Sequence, residues 1–78
     1  MNLINNFLEQ EFKIIIYKNK INIINYDDIS SITEDEIYLN YKEGLIKIKG
    51  KMLSINKMID HEILISGEIK EVKLIWFY

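Results

Sequence analysis

The sequence contains no cysteine, proline, arginine or alanine, and it has only three glycines and one histidine. Without cysteine the chain has no disulfide, no thiolate zinc site and no cysteine nucleophile. Gly44, Gly50 and Gly67 lie too far apart to form a phosphate-binding loop. No apolar run approaches the roughly 20 residues that a membrane-spanning helix needs, and no signal peptide is recognisable at the N-terminus. We therefore expect a cytoplasmic or peripheral protein.

What remains is a chain of 78 residues that is 49% hydrophobic and 28% charged, with a formal net charge of −2. This length allows one domain, and the hydrophobic content argues against intrinsic disorder. A domain of this size buries only about 60% of the surface that its unfolded chain exposes, so its core is thin. We predict a single small β domain over residues 1–78.

The first residues have the pattern of a short amphipathic helix. The apolar residues at helical spacing are Leu3, Ile4, Phe7, Leu8 and Phe12. We predict a helix over residues 1–12, which is too short to be stable alone and must dock on something. One interpretation is that it covers a face or an open end of the domain's own sheet. The other is a partner or a membrane surface, although Glu9 and Glu11 disfavour anionic lipid.

Residues 13–78 have the pattern of β-strands. Ile37, Leu39 and Tyr41 alternate with polar or half-polar positions, a turn follows at residues 42–44, and Ile46 and Ile48 then share one face. Strands recur every eight to twelve residues or so with short turns between them. We predict an all-β antiparallel meander that curls into a roll or barrel, and the alternative is a β-solenoid-like stack.

Strand irregularities are predicted at several points. Gly50 and Lys51 are expected to break one strand, after which residues 52–56 resume it. Gly67 marks a further turn or bulge. Ile69 and Val72 have opposite parity, so burying both requires a bulge near residues 70–71.

Four segments resemble the YabP/YqfC family of sporulation proteins. Residues 44–55 and 62–69 match its order of a glycine, a lysine-bearing Ile-x-Ile-x-Gly strand, a Leu-x-Ile strand and an Ile-x-Ile-x-Gly-x-Ile strand. Upstream, residues 21–29 look like its Ile-x-Asn-His/Tyr-x-x-Ile segment, and residues 35–39 are similar to its acidic-Glu-Ile strand. The resemblance covers residues 12–75.

The resemblance implies a non-catalytic protein that acts during sporulation by protein–protein contact, in assembly of the spore outer layers. It implies a location in the mother cell or at the developing spore surface. It also implies a protein partner, and the candidate is a sporulation protein embedded in the membrane.

The residues themselves contain no recognisable catalytic arrangement. Consecutive strand residues point to opposite faces, so Asp60, His61 and Glu62 cannot all converge on a metal, and no second histidine exists. The serines lie in no nucleophile motif. We expect no enzyme activity, no cofactor and no metal.

A small nucleic-acid-binding β-barrel is the alternative function. Lys47, Lys49 and Lys51 share one polar face, with Tyr38 expected nearby, and such a face can bind single strands. Glu36 is expected close by, and the chain is acidic overall, which disfavours this alternative.

The C-terminus is the strongest candidate for an exposed hydrophobic surface, because residues 74–78 are apolar on both strand faces. Aromatic side chains are enriched at protein–protein contacts. The first strand is also apolar on both faces, so it too could be either core or interface. We expect a homo-oligomer. The predicted interface residues are Leu74, Trp76, Phe77, Tyr78, Ile14 and Ile16.

Overall fold

The computed structural model describes residues 11–76, and it is composed of β-strands. The first two strands are β1 (Lys13–Ile16) and β2 (Lys20–Ile24). The next two are β3 (Asp28–Ile32) and β4 (Glu36–Tyr41). Two long strands follow, β5 (Gly44–Ile59) and β6 (Glu62–Trp76). The described residues include no helix long and apolar enough to cross a bilayer.

The six strands form one antiparallel sheet in the order β1-β2-β6-β5-β4-β3. This confirms the predicted all-β antiparallel fold and not the solenoid. Strands β3 to β6 follow one another as a meander, whereas the β1–β2 hairpin adds to the far side of β6. The pairing of β2 with β6 joins residues about 40 positions apart, as in Asn22 opposite Leu64, and short-range periodicity does not reveal such a pairing.

Most of the predicted N-terminal helix lies outside the described residues. Glu11 and Phe12, its last two residues, are not helical and lead directly into β1.

The β5–β6 hairpin bends near its middle, where both strands are irregular. The register shifts at three places along the pair, one of which leaves Lys70 without a residue opposite it. This confirms the bulge predicted from the parity of Ile69 and Val72. Met52 and Gly67 have positive φ angles of 54° and 135°. Glycine adopts such a φ angle without steric penalty because it has no Cβ atom. The predicted strand break at Gly50 is therefore wrong, since the strand continues through it as a bend.

Backbone hydrogen bonds attach two turns to this bend. The β3–β4 turn accepts two of them and the β1–β2 turn accepts one, so each short hairpin is anchored beside the long one. The bonds run from the N–H groups of Gly50, Leu53 and Gly67 to the carbonyls of Asp35, Glu34 and Asn19, at 2.9, 2.9 and 3.1 Å.

The bend curls the sheet onto itself. Phe12, next to β1, stacks on Tyr41 of β4 with ring centroids 4.3 Å apart. In a flat sheet these strands would be four spacings apart, or about 19 Å. The two halves of the sheet therefore face each other across one core. Its buried members are Ile21, Ile23, Tyr26, Ile37, Leu39, Ile46, Ile48, Leu53, Ile63 and Ile65.

Candidate protein-interaction surface

The C-terminal half of β6 is an edge strand. Strand β2 pairs with β6 only over residues 62–66, whereas residues 68–76 pair with β5 alone. Within residues 11–76, the other side of this segment has no backbone partner. We call it the β6 edge, meaning residues 68–76 on the side away from β5. Such an edge presents N–H and C=O groups that can template pairing with another strand.

Apolar side chains line this edge on the core-facing side of the sheet. Val72 lies opposite Ile48 and Leu74 lies opposite Ile46, and both isoleucines are fully buried. Leu74 nevertheless remains 37% exposed and Trp76 48% exposed, because no further strand among the described residues covers them. The Trp76 ring makes an edge contact with Tyr41 at 5.9 Å between centroids, which holds the indole in place at the rim of the core.

Gly44 allows Trp76 to lie where it does. The two residues are directly opposite each other in the β5–β6 pair. A Cβ atom on Gly44 would lie 1.9 Å from the Ile75 carbonyl oxygen. Only glycine permits this approach, so the position of the C-terminal strand depends on it.

The other predicted interface residues lie elsewhere or outside the described chain. Ile14 is half-buried and packs against the core, which is the position of an ordinary core residue. Ile16 is 60% exposed, although it lies opposite the fully buried Ile21. Both belong to β1, which pairs with β2 and not with β6. Phe77 and Tyr78 are outside the described residues.

Sequence reasoning missed a second group of exposed hydrophobic residues on β5. Met52, at the bend, is 79% exposed, and both Met58 and Ile59 near the hairpin tip are also exposed. The sequence did indicate this exposure. Met58 and Ile59 are adjacent in one strand, so their side chains point to opposite faces of the sheet and cannot both face the core.

The lysines of the proposed nucleic-acid face alternate with acids. Tyr38 lies directly opposite Lys47, as expected. Lys49 lies between Glu36 on β4 and Glu71 on β6, and Lys51 lies opposite Glu68. Acidic neighbours on both sides of the central lysine remove the continuous basic stripe that backbone phosphates require.

His61 contacts the main chain of two residues that follow β2, Asn25 and Tyr26. Its Nδ1 lies 2.9 Å from the Tyr26 carbonyl oxygen, and Asn25 N–H donates to the His61 carbonyl at 2.7 Å. These bonds attach the β5–β6 tip to the end of β2. No cluster of three metal-ligating side chains occurs in the part of the chain that the structure describes. Burial raises the pKa of the Tyr26 phenol, because the phenolate is poorly solvated there.

A shallow concavity of about 480 Å³ lies on the outer face beside the β1–β2 turn. Within it, Asn22 Nδ2 donates to Glu62 Oε2 at 3.2 Å, and Lys57 Nζ lies 3.7 Å from the same oxygen. Glu62 thus joins Asn22 and Lys57, while the buried Oδ1 of Asn22 has no hydrogen-bond partner among the described residues. Its lining residues are Tyr17, Lys18, Asn19, Lys20, Asn22, Lys57, Glu62 and Leu64.

Comparison with known proteins identifies a family. No curated protein and no solved structure matches this chain. The family model described as the YabP family matches residues 5–75, which includes all of β1 to β5 and nearly all of β6. The chain therefore belongs to the YabP family, and this membership makes it a sporulation-related protein.

Proposed function

We propose that this protein is a non-catalytic component of spore outer-layer assembly and acts by protein–protein contact through the β6 edge. The observation that carries the proposal is the exposure of Leu74 and Trp76 on the core-facing side of an edge strand. Family membership supports a role in sporulation, and the exposed apolar edge supports the proposed mode of action.

The energetics of Trp76 support a contact role. Burial of a whole aromatic side chain removes roughly 150–250 Å² from water, and Trp76 is 48% exposed. A partner would therefore cover on the order of 100 Å² more, a gain of about 2.5 kcal/mol. Tryptophan is also the residue type most enriched among those that dominate binding energies.

The partner and the location follow from the family resemblance and remain part of the proposal. We infer a protein partner, with a membrane-embedded sporulation protein as one candidate and a second copy of the chain as another. The place of action would be the cytoplasm of the mother cell or the surface of the developing spore.

A complementation experiment in the spore-forming host tests the proposal. Deletion of the gene should disrupt the outer layers of spores seen in thin-section electron micrographs, and the wild-type gene should restore them. Trp76→Glu should fail to restore them, because a carboxylate replaces the apolar contact. Met52→Glu is the matched control, since Met52 is 79% exposed and lies at the bend, at the opposite end of the second half of β6 from Trp76.

Two outcomes would contradict the proposal. Normal outer layers in the deletion strain would exclude a role in their assembly. Full complementation by Trp76→Glu, at wild-type protein levels, would exclude the β6 edge as the contact.

A further inference from the structure

The charges on the outer face of the sheet are unbalanced where they reach the β6 edge. Lys73 lies directly opposite Lys47, so two like charges are neighbours there. In the next row, Glu71 lies opposite Lys49, whose other neighbour is Glu36. Among the described residues neither Lys47 nor Lys73 forms an ion pair. Within residues 11–76, the position beside Lys73 across the edge is open, and an acidic group is what would balance the charge there.

We propose that the β6 edge binds the β6 edge of a second copy of the chain, antiparallel and centred on Val72. Residues 71–73 lie in the regular part of β6, on the C-terminal side of the Lys70 bulge. In this arrangement Glu71 of each copy therefore lies opposite Lys73 of the other. The two-fold axis produces this pair twice. The inference rests on the proposed function, since it names the partner that the β6 edge contacts.

The pairing continues the charge pattern of each copy across the boundary. The row that ends in Lys47 and Lys73 gains Glu71 of the second copy, and the row that ends in Lys49 and Glu71 gains Lys73. Shifting the centre toward the C-terminus loses this complementarity. Centring on Lys73 places the two lysines against each other, and centring on Leu74 places Lys73 opposite Ile75.

The same arrangement brings part of the apolar rim of each copy against that of the other. Residues directly opposite in an antiparallel pair lie on one face, so Val72 of each copy meets the other on the core-facing side. Leu74 then lies diagonally next to Val72 of the second copy, within reach across the pair. The Val72 and Leu74 side chains of the two copies thus adjoin across the two-fold axis, whereas Trp76, four residues from Val72, lies near each end of the pair.

The other open edges lack such self-complementarity. Strand β1 has one charged residue, Lys13, and strand β3 has one, Asp28. The part of β5 that does not pair with β4, residues 50–59, contributes only Lys51 and Lys57, which have the same charge. Two copies of any of these edges therefore have no opposite charges to pair.

Charge exchange tests both the contact and its register. A single strand pair is a small interface, so we expect a dimer that dissociates on dilution and is visible by sedimentation equilibrium. Lys73→Glu or Glu71→Lys alone should weaken the dimer about tenfold, because both cross-copy pairs become like-charged. The double variant Glu71→Lys/Lys73→Glu should restore it. Lys18→Glu, in the β1–β2 turn, makes the same charge change away from the edge and should have no effect.

Hydrogen exchange of the full chain identifies what covers the edge. In a dimer, the amides of residues 68–76 should become more protected as protein concentration rises. Protection that does not depend on concentration would overturn the proposal, because residues 1–10 of the same chain would then be the cover. A monomer at all concentrations, or a dimer unaffected by the single charge exchanges, would also overturn it. In either case the proposed function would stand or fall separately, on the spore phenotype.

Discussion

Leu39 and Leu74 provide a direct test of how far the β6 edge is covered. Both lie in the cross-strand row that runs from Leu39 through Ile46 to Leu74. Leu39 is fully buried and Leu74 is 37% exposed. The same substitution, leucine to alanine, can therefore be compared at a core position and at an edge position of a single row.

The expected costs differ because only one site leaves a closed cavity. Leu39→Ala should lower the free energy of unfolding by about 2 to 5 kcal/mol, a large part of the roughly 4 to 12 kcal/mol expected for a domain of this length. Leu74→Ala removes three carbons, which would cost about 2.4 kcal/mol if they were fully buried. Because Leu74 is 37% exposed, the expected cost is about 1.5 kcal/mol. The edge can also relax around the smaller side chain.

Urea unfolding followed by circular dichroism at low protein concentration measures both costs. If Leu39→Ala does not fold, Ile48→Val provides a milder core substitution with an expected cost of about 0.5 to 1.5 kcal/mol. Equal losses for Leu39→Ala and Leu74→Ala at low concentration would refute the reasoning, because Leu74 would then be as enclosed as the core. A loss at Leu74 that grows with protein concentration would instead point to the second copy.

Three further predictions concern the fold. Gly44→Ala should cost about 3 kcal/mol or more by urea unfolding, because its Cβ would meet the Ile75 carbonyl at 1.9 Å, whereas the exposed Ser54→Ala should change stability by less than about 0.5 kcal/mol. Phe12→Ala should lose the stacking on Tyr41, which contributes about 0.5 to 1.5 kcal/mol to the free energy of unfolding beyond the buried area. A loss of stability no larger than that of Phe12→Leu would argue against a contribution from stacking. Burial raises the pKa of Tyr26 above 10.0, so its contribution to stability is complete below pH 10 and declines as pH rises through the folded-state pKa; unfolding titrations should show this decline in the wild type and lose it in Tyr26→Phe.

The proposed contact links the fold to the cellular role through one structural feature. The bend in the β5–β6 hairpin takes the second half of β6 away from β2 and leaves it with one paired side. An edge of this kind is a hazard unless it is paired, covered or charged. Here it carries both charges and exposed apolar groups, a combination suited to a specific contact rather than to protection alone.

The location of the charges on this edge could not be predicted from the sequence. Glu71 and Lys73 have the spacing of residues on one strand face, which the alternation of residues 71–75 already indicates. Their cross-strand partners, Lys49 and Lys47, depend on the register of the hairpin. That register contains the Lys70 bulge and two shifts on β5, and a one-residue change would move every side chain to the opposite face.

The amino-acid sequence alone determined the strand content, the main turns, the inward positions of β4 and β5, the bulge at Lys70 and the resemblance to the YabP family. These follow from alternation, turn chemistry and local motifs, all of which act over a few residues. The tertiary structure alone decided that β2 lies beside β6, that Gly50 continues a bent strand, and that Ile14 is packed while Leu74 and Trp76 are exposed at a rim. The reason is physical: whether an apolar strand face is covered depends on which distant segment lies against it, and local periodicity carries no information about that neighbour.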